Sequence, residues 1–134
     1  MALITDEMKE VVANAVLPMV GTCSRDAKPN VVPIHFTKVI SENEILLMDN
    51  YMNKTRANID ANPYVAISVW DAENKKGYQF KGSIRIEKNG TTFEEGIKWV
   101  KSTRPETDPK AAIIVTVDEI YTIGPGDMAG KRIA

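Results

Sequence analysis

One cysteine and one histidine are all that the 134 residues contain, and that scarcity removes whole classes of chemistry. Cys23 has no intrachain disulfide partner, and with His35 alone beside it the chain cannot assemble a zinc site of the usual type. A Cys23–His35 nucleophile and base would need only spatial proximity. However, Cys23 closes the apolar run from Leu17 and reads as a small core residue, while His35 falls in an alternating strand. Net charge is equally sparse. Seventeen basic against eighteen acidic side chains give no electrostatic case for nucleic acid or an anionic membrane. No apolar run reaches the roughly 20 residues needed to cross a bilayer, and no basic-flanked apolar leader opens the sequence. The expectation is a cytoplasmic protein with no membrane partner and no nucleic-acid partner. With no internal repeat or low-complexity tract, residues 1–134 read as a single domain around one core.

What is present is a sequence of short β patterns with helical interruptions. Thr5 precedes Asp6 and Glu7 as an N-cap, and Met8, Val11, Val12 and Ala15 recur at helical spacing until Pro18 ends the pattern. Met19 to Cys23, Val31 to Ile40 and Glu44 to Asp49 read as three antiparallel strands, separated by turn residues at Ser24–Asn30 and Ser41–Asn43. A short helix over Lys54–Ala61 stops at Asn62–Pro63. Tyr64 to Trp70 and Tyr78 to Ile86 then alternate as strands. Gly82, in the second of these, is the position for a close backbone approach. Thr92 with Glu95 has the spacing of a capping box before a second amphipathic helix ending near Ser102. The apolar run Ala111 to Val117 predicts a buried strand that Ile120 to Ile123 extends or follows, and the glycine-rich tail Gly124–Ala134 predicts loose order. Trp70 and Trp99 read as packing residues. The fold class is mainly β: a six- or seven-stranded antiparallel split barrel with two or three helices, closure being favoured because short strands otherwise leave exposed edges, with an open sheet covered by helices as the alternative.

The segment Met52-Asn53-Lys54-Thr55-Arg56-Ala57-Asn58-Ile59 carries the chemistry. A helix start leaves its first N–H groups without partners and bears partial positive charge, so an anion placed there gains hydrogen bonds and field together. First turns favour acidic residues, and here Lys54 and Arg56 stand instead. That misplacement points to a phosphate. The alternative is that Asn53 caps the helix while both cations are solvated. A basic stripe of Lys54, Arg56, Lys75, Lys76 and Lys81 with Tyr51 and Tyr78 for stacking would suit single-stranded nucleic acid, and the near-neutral charge counts against it.

The order of elements, with Lys54-Thr55-Arg56-Ala57-Asn58-Ile59 after a strand and Tyr78-Gln79-Phe80-Lys81-Gly82-Ser83 further on, resembles the FMN-binding split barrels of the pyridoxamine 5'-phosphate oxidase superfamily, and most nearly its small bacterial FMN-binding proteins. The resemblance implies a homodimer with FMN at the subunit interface. It would place the phosphate on Lys54 and Thr55, with Asn53 or backbone N–H groups completing the cradle and Arg56 a weaker contributor. Asn58 would order the turn by bonding backbone. The flavin would lie against Val32, Pro33, Ile34 and His35 on one strand and Met48 and Asp49 on its neighbour. Pro33 in a strand marks an edge or bulge, which suits a wall beside a ligand. The vitamin oxidase's C-terminal arginine and histidine pattern is absent from Ile123 to Ala134. The function implied is an FMN-binding oxidoreductase or electron carrier served by a small-molecule redox partner or electron donor. The alternatives are a reductase using deazaflavin F420, or a non-catalytic redox sensor binding flavin or haem.

Overall fold

The computed structural model describes residues 2–134. Helix α1 (Asp6–Asn14) starts where Thr5 predicts: Thr5 Oγ1 accepts from the Met8 N–H at 3.3 Å, and the Met8 sulfur accepts from the Thr5 N–H at 3.4 Å. Met8, Val11 and Val12 form its buried face. Seven strands follow: β1 (Met19–Cys23), β2 (Pro29–Pro33), β3 (Thr37–Ser41), β4 (Glu44–Asp49), β5 (Tyr64–Asp71), β6 (Lys76–Glu87) and β7 (Ala111–Thr122). Helix α2 (Lys54–Ala61) lies between β4 and β5, and α3 (Thr91–Thr103) lies between β6 and β7. The strands make one antiparallel sheet in the order β2-β1-β5-β6-β7-β4-β3. Its two edge strands, β2 and β3, are consecutive in the chain, so the sheet curls into a barrel split between them. Val20, Ile45, Leu47, Val65, Ile67, Val69, Phe80, Ile113 and Val115 fill one interior core contributed by five strands.

β4 and β7 are buried on both faces because α3 covers their outside. Leu46, Met48, Ala112 and Ile114 meet Val100, Phe36, Phe93 and Trp99 in a second core layer. This double burial explains the unbroken apolar run Ala111 to Val117. Phe36 and Trp99 meet edge-on, with ring centroids 5.2 Å apart. Trp70 instead lies half out of the sheet, 40% exposed, over the bare backbone of Gly77.

Four sequence expectations change and one open alternative is settled. Val31 to Ile40 is two strands, broken at Ile34–Phe36, where the Ile34 N–H donates to Pro18 O and the Thr37 hydroxyl donates to Ile34 O. β7 continues through Thr122 as one strand, so the Ile120–Ile123 segment extends it. The Thr92–Glu95 capping box does not form, because Gly90, at φ +92, turns the chain one residue earlier and α3 begins at Thr91 with no side-chain cap. Cys23 ends half-buried at the close of β1, outside the core. The tail is held in place: the Gly130 N–H donates to Thr122 O, the Thr122 N–H to Lys131 O and the Ile133 N–H to Ile120 O, with Gly126 and Gly130 at positive φ making the reversal. The glycines that suggested looseness are the turn that folds the tail onto β7.

Candidate functional site

A cleft of about 380 Å³ opens where the ends of β2 and β4 meet the start of α2 and the link from α3 to β7. One wall is apolar, formed by Val32, Pro33, Ile34, Phe36 and Met48. His35 stands on that wall with its ring edge-on to Phe36, 4.9 Å between centroids. The other end is polar and is built by Asn53, Lys54 and Thr55. The cleft thus gathers eight of the nine residues expected from the sequence. Val31 is not part of the lining and is 62% exposed, on the face of β2 opposite Val32.

Asp49 is the ninth, and its side chain is not part of the lining. Its carboxylate is buried, accepts the Met52 N–H at 3.1 Å and receives Arg56 Nη1 at 2.9 Å. Arg56 also bonds Asp60 through Nε at 3.2 Å. Burial disfavours the charged guanidinium, but the two carboxylates outweigh it and hold the Arg56 pKa above the ordinary arginine value. Arg56 is therefore a structural strut that pins the β4–α2 corner. The two cations of the motif have separate duties, and only Lys54 faces the cleft.

The helix start is open. The Asn53 side chain makes no capping bond, and the first turn of α2 contains no acidic residue. Beneath it lies a polar net in which Asn30 Nδ2 donates to Thr55 Oγ1 at 3.0 Å and to Thr22 Oγ1 at 3.3 Å, while Asn58 Nδ2 donates to Thr22 Oγ1 at 3.1 Å. Asn58 thus orders the corner through a side chain rather than through backbone. The Thr55 oxygen accepts from Asn30, which leaves its own proton free to donate.

Six lining residues were not among the nine expected here: Phe36, Asn50, Tyr51, Met52, Arg104 and Thr107. Arg104 is the most consequential. It caps the C-terminus of α3, lines the cleft opposite α2, and like Lys54 forms no ion pair among the described residues. Tyr51 bridges the two sides through a 3.2 Å hydrogen bond between its hydroxyl and that of Thr107. No local pattern marks Arg104; only the folding of α3 over β4 and β7 brings it here. Two unpaired cations, an uncapped helix start and an apolar wall suit a ligand with an anionic tail and a planar ring.

Split barrels with such a cleft form a recognisable structural class, and likenesses to known proteins place the chain within it. The chain belongs to the pyridoxamine 5'-phosphate oxidase family, whose sequence model matches residues 4–124. An uncharacterized protein of Methanocaldococcus jannaschii is 34% identical over 133 residues, covering 98% of this chain and 88% of the relative. HupZ of Group A Streptococcus superposes with a TM-score of 0.84 at 28% identity, covering 98% of this chain and 100% of its own. An FMN-binding protein from Syntrophomonas wolfei superposes at 0.78 with 17% identity, covering 87% and 82%, a likeness of fold alone.

Proposed function

We propose that the protein is an FMN-binding flavoprotein, an oxidoreductase or electron carrier that works as a homodimer with the cofactor at the subunit interface. The observation that carries this reading is the uncapped start of α2, with Lys54 and the Thr55 hydroxyl beside it, at the polar end of an apolar cleft. In the proposed arrangement Lys54 supplies charge to a phosphate, Thr55 donates its hydroxyl proton, and the first N–H groups of α2 complete the cradle. Val32, Pro33, Ile34 and Met48 exclude water from a flavin ring, and backbone groups of β2 and β4 read its edge. Bound FMN would supply the hydride or electron chemistry; the chain supplies position, dryness and field. His35 is the one side chain on the ring wall able to pass a proton.

The outer face of the sheet supports the homodimer. Cross-strand neighbours Val31, Gly21, Ala66 and Lys81 form one row across β2, β1, β5 and β6, with Met19 and Trp70 exposed nearby. Small residues in that row allow a second copy to approach closely, and the edge strand β2 carries both this face and the cleft wall. A second subunit seated here would close the cleft's open side.

Purified protein mixed with FMN should show the perturbed near-ultraviolet and blue bands of a bound flavin, and should elute at twice the mass of one chain. A colourless protein that ignores FMN but binds F420 would replace the cofactor assignment. Tight flavin binding without reduction by NADH or NADPH would replace turnover by sensing. Within this reading Arg104→Ala should weaken FMN about fivefold, in line with roughly 1 kcal/mol for a solvent-screened cation, and should flatten the salt dependence of binding. Titration at two ionic strengths checks both.

A further inference from the structure

Asn50 presents the one buried side-chain polar atom without a hydrogen-bond partner among the described residues, its Oδ1. Buried acceptors are paired in the great majority of native structures, so an orphan on a cleft-lining residue calls for a donor from outside the chain, which the amide meets by turning toward the cleft. The groups flanking Asn50 are fully engaged. The Lys110 N–H donates to Asp49 O at 2.8 Å, Asp49 Oδ1 takes the Met52 N–H, and the Tyr51 hydroxyl meets Thr107. Asn50 belongs to the cleft lining and stands in the chain between Met48 of the apolar wall and Asn53–Thr55 at the polar end. The part of a ligand that spans those two ends is the chain joining ring to phosphate.

We infer that Asn50 is a specificity-determining residue whose Oδ1 accepts a hydrogen bond from a hydroxyl of the polyol linking the ring to the phosphate. The inference rests on the FMN reading and extends it to a group that neither the phosphate cradle nor the apolar wall recognises. A ligand lacking the hydroxylated chain leaves the acceptor orphaned, and the penalty for that burial persists in the complex. Selection of this kind acts on the linker and is blind to phosphate charge.

Asn50→Leu, close in volume and without the acceptor, separates these contributions in fluorescence titrations with FMN, riboflavin and lumiflavin, the last having a methyl group in place of the polyol. FMN and riboflavin should each bind about tenfold more weakly than to the wild-type protein, the scale of one neutral hydrogen bond. Lumiflavin should bind unchanged. The ligand-free variant should melt about 3 °C higher, because an unpaired buried acceptor has been removed. Asn50→Ala should repeat the pattern if the larger side chain disturbs the corner. Equal weakening of all three flavins would move the contact to the ring and overturn the inference, as would unchanged FMN and riboflavin affinity. Lower melting temperatures for both ligand-free variants would make Asn50 a support of the fold and overturn it as well. A wild-type protein that binds neither FMN nor riboflavin defeats the cofactor reading itself, and the inference with it.

Discussion

Replacing Lys54 and Thr55 together by alanine should weaken FMN binding by about a hundredfold or more and leave riboflavin binding within about threefold of wild type. Hydrogen bonds to a charged group contribute about 1.5–3 kcal/mol each, and every 1.4 kcal/mol is a tenfold change in affinity, so losing two such bonds passes a hundredfold. The fold should tolerate the change. Lys54 is exposed and makes no ion pair among the described residues, so its removal takes nothing from the native state. Thr55 is buried, but the Asn30 amide that donates to it also reaches Thr22. Riboflavin has the ring and polyol without the phosphate, which makes it the control for general damage to the cleft. Parallel losses of FMN and riboflavin would mean that the pair shapes the cavity, and unchanged FMN affinity would remove both residues from the site.

The sequence and structure agree where a local cause operates and part where a distant one does. Thr5 caps α1 because its hydroxyl needs only the N–H three residues on. Val65, Ile67 and Val69 point inward because alternation is a property of the strand itself. The place of Asn53–Thr55 at an open helix start was legible for the same reason: a helix start and its side chains lie within a few residues. The break at Ile34–Phe36 was marked only by Pro33, which signals an edge or bulge without fixing a strand end, and the turn is held by Pro18, just before β1, whose carbonyl accepts the Ile34 N–H. Asp49 looked like a wall residue from its place at the end of β4, yet its carboxylate is claimed by Arg56 once α2 folds back. Arg104 and Thr107 reach the cleft only through the packing of α3, and Asn50 is notable only because its carbonyl has no partner, which requires coordinates to see.

Gly82→Ala should destabilise the protein by about 3 kcal/mol, the upper end of what overpacking usually costs, and should remove flavin binding with it. A Cβ on Gly82 would stand 2.0 Å from Thr116 O and 2.8 Å from Thr116 C, both backbone atoms of the adjacent strand that cannot swing aside. Gly82 sits where the β6–β7 register shifts after Lys81, pairing with Val117, so relief of the clash means prising the two longest strands apart. Gly96→Ala is the informative contrast. There the Cβ would meet Met48 Sδ at 2.5 Å, the far end of a flexible side chain, and alanine inside α3 recovers about 1 kcal/mol of helix propensity. Its urea midpoint should therefore fall much less than that of Gly82→Ala; equal midpoints would refute the close-approach account of Gly82. The functional consequence follows from register. β7 pairs Ala112 with Met48 and Ala111 with Asp49, so the strand that a side chain at position 82 displaces is the one that positions the cleft wall and the Asp49–Arg56 strut beneath α2. On the FMN reading, a residue remote from the cleft would thereby govern whether the apolar wall and the start of α2 stand at the separation one ligand must span.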